Sequence, residues 1–189
     1  MKNLTPDRFY NPELNLYLGL DKGFRNPNVT IWLQPDRKWE RILVLYAHYQ
    51  WLRTPDENAR IALAIHRERG YGPLTSGWGD PSAPDMLRAY SLAFGREGLI
   101  IGPRRPVEWG EEVLNQWLKT SRVTQGRMGL VFAPDCTRKF YAPNDREREQ
   151  PISLVLEIQH KEKHAPGKGR HHGPDALRYF YGGWEGARL

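Results

Sequence analysis

The sequence predicts an α/β domain built on a mixed central sheet of about five main strands flanked by helices. Two observations carry this expectation. Three short apolar runs come first, separated only by turn signals, and from residue 54 onward helical and strand-like segments alternate. A meander followed by such alternation gives a sheet of mixed strand directions with helices packed on its faces.

Taken in order, Leu16 to Leu20 form an apolar run ending at Asp21, which reads as a buried central strand. Gly23 to Asn28 combines Gly, Asn and Pro and reads as a turn. Val29 to Leu33 and Ile42 to Tyr49 are the next two strands, with Pro35, Asp36 and the charged residues up to Lys38 supplying a hairpin. Thr54-Pro55-Asp56-Glu57 starts a helix. Thr54 caps it, Pro55 fits its first position and Glu57 completes a capping box. Ile61, Ala62 and Ile65 form its apolar face, and Gly70 ends it. Leu74 to Trp78 is a short strand running into Gly79-Asp80, and Ser82-Ala83-Pro84-Asp85 opens a second helix by the same capping logic, reaching about Gly95. Leu99 to Ile101 is a fifth strand. Val107 to Lys119 is helical, with Val113, Leu114, Trp117 and Leu118 on one side, and Leu130 to Phe132 is a short edge strand. Ile152 to Gln159 reads as helix, followed by a basic, glycine-containing loop from His160 to Gly173. Pro174 opens a last helix through Tyr181, which Gly182-Gly183 stops.

At 189 residues the chain fits one domain and buries enough core to fold without disulfides or a structural metal. An aromatic fraction of 12% excludes a disordered chain. No apolar run approaches the roughly 20 residues that span a bilayer, and the first residues lack the apolar core of a secretory signal. The expectation is a cytoplasmic protein without membrane attachment, which the single cysteine, Cys136, also suits. A net charge of +6 attracts polyanions, of which nucleic acid is the commonest. The competing reading is a protein that is simply basic.

Three acids sit in telling places. Asp21 ends an apolar strand, where a carboxylate is costly to desolvate unless a partner or a cation offsets it. Asp80 follows the fourth strand, and Asp175 lies in the first turn of the last helix beside Pro174. Each has an ordinary reading alone: Asp21 as cap of the Gly23-Phe24 turn, Asp80 as a turn residue before Pro81, Asp175 as complement to the helix dipole. Their combination points elsewhere. If the first and fourth strands lie side by side and parallel, both aspartates emerge at one sheet edge, where ligand sites of open α/β sheets form. A closing helix across that edge then brings Asp175 to them. Hard oxygen ligands select Mg²⁺ or Mn²⁺, one or two ions, and no Cys/His zinc pattern competes. Two such ions about 3.5–4 Å apart activate a water and stabilise the leaving oxygen of a phosphodiester. The product ends would be a 3′-hydroxyl and a 5′-phosphate. His172, three residues before Asp175, is a further candidate, as metal ligand, phosphate contact or proton shuttle; the bland alternative puts it with His171 in a solvated basic loop. Glu157 is expected to be a solvated carboxylate, the alternative being that it faces the same site.

Tyr17-Leu18-Gly19-Leu20-Asp21-Lys22-Gly23-Phe24, Gly79-Asp80-Pro81-Ser82-Ala83-Pro84 and His172-Gly173-Pro174-Asp175-Ala176-Leu177-Arg178-Tyr179, in that order, resemble the nuclease domain of tailed-bacteriophage large terminases, in the ribonuclease H-like superfamily. The last segment is the most specific, since Asp-Ala-Leu-Arg-Tyr looks like the family's closing helix; Asp135-Cys136-Thr137 also looks like a family segment. The resemblance runs from about Leu14 to Tyr181. It implies a ribonuclease H-like fold, a single nuclease domain over residues 1–189, and Asp21, Asp80 and Asp175 as the catalytic, metal-binding acids. It also implies cutting of concatemeric double-stranded viral DNA during packaging in the host cytoplasm, with the terminase ATPase domain, the portal and the small terminase as partners. Two departures stand out. Many relatives carry an additional acid just before the last motif, where His-Gly-Pro stands here. No G-x-x-x-x-G-K-[ST] phosphate loop occurs, so the chain is expected to be the carboxyl-terminal part of a longer protein, or else a free-standing nuclease.

Candidate contacts to the DNA backbone are Arg104, Arg105, Arg127, Arg138, Lys139, Lys161, Lys163, Lys168 and Arg170, with solvated surface charge as the alternative for about half of them. Most of the seven tryptophans are expected in the core. Trp78 lies nearest Asp80 in sequence, and Trp184 is a candidate contact to a partner region. Two other functions remain open at this stage: another nuclease of the same fold, such as a junction resolvase or an RNA–DNA hybrid nuclease, and a non-catalytic DNA-binding packaging module.

Overall fold

A computed structural model describes residues 9–125, 128–141, 153–163 and 172–184. Its strands are β1 (Leu16–Asp21), β2 (Asn28–Asp36), β3 (Arg41–Gln50), β4 (Leu74–Gly79), β5 (Ile100–Ile101) and β6 (Gly129–Phe132). Its helices are α1 (Pro55–Glu68), α2 (Pro84–Ala93), α3 (Val107–Val123), α4 (Leu154–Lys163) and α5 (His172–Trp184). The strands form a sheet in the order β5-β4-β1-β2-β3-β6. β2 is antiparallel to both β1 and β3, while β4 is parallel to β1, β5 to β4 and β6 to β3. Five of the described strands therefore run one way and β2 opposes them. Their five carboxyl ends share one edge of the sheet.

Side-chain alternation divides the core into two layers. Leu16, Leu18 and Leu20 of β1 pack with Ala59 and Ala62 of α1 and with Met86 and Tyr90 of α2. On the other face, Val29, Ile31, Ile42 and Val44 pack with Leu114 of α3, Leu154 of α4 and Leu177 and Phe180 of α5. Tyr17 and Gly19, the odd positions of β1, belong to this second face: Tyr17 stacks on Trp78 at 5.6 Å, and Phe180 meets both rings. β3 carries one extra residue against β2, because Leu33 pairs with Val44 but Trp32 pairs with Tyr46. This bulge at Leu45 shifts the alternation by one. Ile42 and Val44 before it, and Ala47 and Tyr49 after it, consequently face the same layer.

The capping box at Thr54 forms as its sequence suggests, with Thr54 Oγ1 accepting from the Glu57 N–H and Glu57 Oε2 accepting from the Thr54 N–H. Other boundaries move. The second helix has no side-chain cap, since its N-cap is Ala83 and Ser82 turns to Asp80 instead. α4 continues to Lys163, so the first part of the expected basic loop is helical. α5 begins at His172 and runs through Gly182-Gly183. Trp184 explains that continuation: it is buried, stacked on Phe180 at 5.6 Å and edge-on to Trp117, so core packing carries the helix past its glycines. Trp184 is thus a core residue rather than an exposed partner contact, and Trp78 is likewise buried. None of the described helices is long and apolar enough to cross a membrane.

The crossing of α5 over β1 is tight. A Cβ at position 19 would stand 2.6 Å from the carbonyl oxygen of Ala176, which is backbone and cannot swing away. Overpacking of this kind costs about 1–3 kcal/mol. Gly19→Ala is expected to lower the urea midpoint by that amount of stability with an unchanged m-value; an unaltered midpoint would show that α5 can lift from the sheet without cost.

Candidate active site at the carboxyl edge of the sheet

Asp21 and Asp80 reach the edge together because β1 and β4 are adjacent and parallel, with Leu20 in register with Gly79. Each aspartate is the next residue on its strand path. Asp21 shares the parity of Tyr17 and Gly19, and Asp80 that of Trp78, so both continue the positions that face α5. Asp175 arrives from the first turn of α5. The arrangement anticipated from the apolar strand and the final motif is therefore present as topology: two parallel strand ends and a helix laid over them.

Each acid has a defined local partner. Asp21 is buried, with Oδ2 2.8 Å from His172 Nδ1. The amide of Asn28 donates to its backbone carbonyl at 3.2 Å, fixing the end of β1. Asp80 Oδ1 accepts from the Ser82 N–H at 2.8 Å and the Ser82 hydroxyl at 2.7 Å, an Asx-type turn that leads the chain from β4 into α2. Asp175 Oδ1 lies 3.4 Å from Nη2 of Arg178, one helical turn on. His172, Ser82 and Arg178 thus steer one oxygen of each carboxylate.

The acids also sense one another. Burial pushes the Asp21 carboxyl above its ordinary range; His172 pulls it back, and the charges of Asp175 and Asp80 raise it again. Burial alone would lower His172, but its hydrogen bond to Asp21 and the charges of Asp21, Glu157 and Asp175 overcome that and hold its pKa above the usual histidine value. Tyr179 is pushed up to about 12, first by burial and further by Asp80, Asp21 and Asp175, against the opposing charge of Arg178. One phenol therefore feels all three aspartates. Its position among them was not legible in advance, because a tyrosine on an apolar helix face reads as core.

Glu157 is buried rather than solvated. Its Oε2 accepts from the Tyr49 hydroxyl and from the Gly173 N–H, both at 2.7 Å. Burial raises its pKa to about 7, despite the lowering effect of both hydrogen bonds. Tyr49 was missed by sequence reasoning: its face depends on the bulge, and a bulge leaves no plain sequence signal.

Three carboxylates supply the hard oxygen donors that Mg²⁺ and Mn²⁺ prefer, so the donor set fits such an ion in kind. Among the described residues, however, no three His, Cys, Asp or Glu side chains stand close enough to form a ready-made cation cage. The steered oxygens face His172, Ser82 and Arg178, and each acid retains a second oxygen outside those contacts.

The basic candidates scatter. Arg138 and Lys139 are exposed beyond β6, although Arg138 also donates to the Tyr46 hydroxyl at 3.1 Å and lies over Phe140. Arg105 lies over the ring of Trp109. Arg104 lines a surface cup with Tyr17, Arg37, Thr75 and Trp78, toward the start of β1 and away from Asp21. Arg127, Lys168, Arg170 and His171, and the side chains of Lys161 and Lys163, lie outside the described residues. In the segment Asp135-Cys136-Thr137, Cys136 is buried with its Sγ 3.2 Å from the Val44 carbonyl, and Asp135 pairs with Arg69 at 2.8 Å.

No family model matches the chain, and no curated protein matches it. Solved structures do. A large terminase from a thermophilic bacteriophage superposes with a TM-score of 0.58 at 16% identity over 94% of this chain. The nuclease domain of the bacteriophage SPP1 large terminase, solved with bound Mn, gives a TM-score of 0.56 at 19% identity, covering 95% of this chain and 92% of that domain. This chain shares the ribonuclease H-like fold of large-terminase nuclease domains. The nuclease of the large terminase from thermophilic phage G20c, solved with bound zinc, is more distant, with a TM-score of 0.50 at 15% identity. The chain spans 40% of the first of these terminases but nearly all of the SPP1 domain.

The raised pKa of Glu157 has a consequence for stability. Between its ordinary value of 4.5 and about 7, the folded chain keeps a proton that the unfolded chain has lost, so stability falls as pH rises through that window. His172 adds a loss in the same direction only above its ordinary 6.5, where its pairing with Asp21 begins to be released. Asp21, also raised by burial, adds to the decline between pH 4.5 and about 6, while His48 and His66, lowered by burial, oppose it. The difference between the wild type and a Glu157 variant therefore isolates the acid. In urea unfolding, the stability of the wild type relative to Glu157→Gln is expected to fall as pH rises over that range; parallel profiles for both proteins would rule the assignment out.

Proposed function

We propose that the chain is a metal-dependent endonuclease that hydrolyses phosphodiester bonds of double-stranded DNA, the cutting domain of a viral genome-packaging terminase. The observation that supports this reading is that adjacent parallel strands end at Asp21 and Asp80, while His172, in the first turn of the helix that also carries Asp175, contacts Asp21. The fold shared with the SPP1 nuclease domain, which was solved with bound Mn, supports the same chemistry.

In this reading Asp21, Asp80 and Asp175 hold one or two Mg²⁺ or Mn²⁺ ions. Bound there, such an ion would supply Lewis acidity toward a water and the phosphodiester oxygens. The chain's own groups arrange the ligands. His172 Nδ1 orients the Asp21 carboxylate, the Ser82 turn orients Asp80, and Arg178 restrains Asp175. Tyr179 remains a neutral phenol at physiological pH, adding no charge to the acid cluster. Arg138 and Lys139 follow β6, whose carboxyl end lies on the same edge of the sheet as that of β1, and in this reading they meet DNA phosphates there. The ATPase domain, portal and small terminase are the partners this role requires.

Plasmid cleavage in Mn²⁺, Mg²⁺ or EDTA tests the proposal, with Asp80→Asn as the control. Nicking and linearisation are expected with either cation, absent in EDTA and reduced on the order of 10²-fold or more in the variant, the scale for losing one preorganised electrostatic group. Equal cleavage by both proteins would remove Asp80 from the site. Tight DNA binding without cleavage would favour a packaging module that does not cut, and faster cleavage of branched DNA or RNA–DNA hybrid would reassign the substrate.

A further inference from the structure

Glu157 stands apart from the three aspartates, on α4, and is only 6% exposed. A carboxylate buried this deeply is costly unless its oxygens are matched. Oε2 is matched twice, by the Tyr49 hydroxyl and the Gly173 N–H, while Oε1 has no partner among the described residues. The three groups come from β3, α4 and α5, so a single oxygen ties two helices to the sheet. Gly173 lies in the first turn of α5, where backbone N–H groups lack intrahelical acceptors and a negative charge is favoured by the helix dipole. The fit leaves no room for a side chain at that position: a Cβ on residue 173 would stand 2.7 Å from Glu157 Oε2 and 2.6 Å from Leu154 Cδ1. The same turn carries His172, which contacts Asp21, and Asp175.

We propose that Glu157 is a positioning residue that seats the first turn of α5, and with it His172 and Asp175, over the ends of β1 and β4. Its consequence for metal binding rests on the nuclease reading. The anchor acts through backbone: it holds the Gly173 N–H, and the side chains on either side follow. Residues that orient metal ligands without touching the ion typically change metal affinity or activity by roughly 10–100-fold when removed.

The wild-type chain is compared with Glu157→Ala and Glu157→Gln in two measurements. Hydrogen–deuterium exchange reports the first turn of α5, with the β2–β3 ladder as internal control, and calorimetry reports Mn²⁺ affinity. In Glu157→Ala, exchange at the α5 turn is expected to accelerate while β2–β3 stays protected, with Mn²⁺ affinity weakened by roughly 10–100-fold. Glu157→Gln keeps an acceptor oxygen for both donors and is expected to restore both readouts. If Glu157→Ala does not fold, Glu157→Asp, which draws the carboxylate back by one methylene, is expected to show the same loosening. Equal exchange at the α5 turn in all folded variants overturns the anchor. Faster exchange with unchanged Mn²⁺ affinity overturns its role toward the site. A wild-type chain that binds no Mn²⁺ and cuts no DNA defeats the nuclease reading instead, and the exchange comparison still decides whether Glu157 holds α5.

Discussion

Helix α5 lies on β1 so closely that the carbonyl of Ala176 fills the space a side chain at position 19 would take. The acid edge depends on that contact. Asp21 and Asp80 are carried by strands and would reach the edge in any sheet with this order, but Asp175 and His172 belong to a helix that can meet them only if it crosses at short range. Gly19 and Ala176 permit the approach, Phe180 fills the aromatic corner with Tyr17 and Trp78, and the Glu157 carboxylate captures the first turn. Packing sets the height of the helix, and polar contacts set where its first residues point.

Electrostatics make the edge expensive. Asp21, Asp80 and Asp175 end up at one side of the sheet with Glu157 buried behind them, and the described cationic side chains that contact the aspartates are His172 and Arg178. Burial raises the carboxyl pKa values of Asp21 and Glu157, and for Asp21 the charges of Asp175 and Asp80 add to this. The raised pKa values of Asp21 and Glu157 express that cost, and His172 is driven the other way, toward its charged form. A region of this kind is a reservoir of unfavourable interaction that a bound cation would relieve. That the described residues form no ready-made three-donor cage belongs to the same picture, since each acid has turned one oxygen to a protein donor.

Much of the frame was legible in the sequence because its signals are local. The apolar run ending at Asp21, the Thr54 capping box and the helix-strand alternation lead to a mixed sheet flanked by helices without tertiary information. The parallel pairing of β1 and β4 entered the sequence reading only as a condition, and the structure pairs these strands so that they end together at Asp21 and Asp80. What escaped was set by long-range contacts. Gly182-Gly183 reads as a helix stop, but burial of Trp184 overrides it. Ser82 reads as a helix cap, but Asp80 takes its donors. Glu157 reads as a surface acid on a charged helix, because nothing near it in the chain announces Tyr49, 108 positions earlier.

The bulge at Leu45 gives β3 two phases. Upstream, its even-numbered side chains line the layer under α3 to α5; downstream, its odd-numbered ones do. A single strand thereby serves the hydrophobic interior with one half and the polar junction at Glu157 with the other. Deleting Leu45 would restore strict alternation and leave Tyr49 opposite Val29 on its present face, because residues paired across a ladder share a face. A residue lost between Tyr46 and Tyr49 would instead draw Tyr49 into the place of His48, opposite Thr30 and on the other face. In evolutionary terms the strand can shed its extra residue more safely than it can change length beyond it.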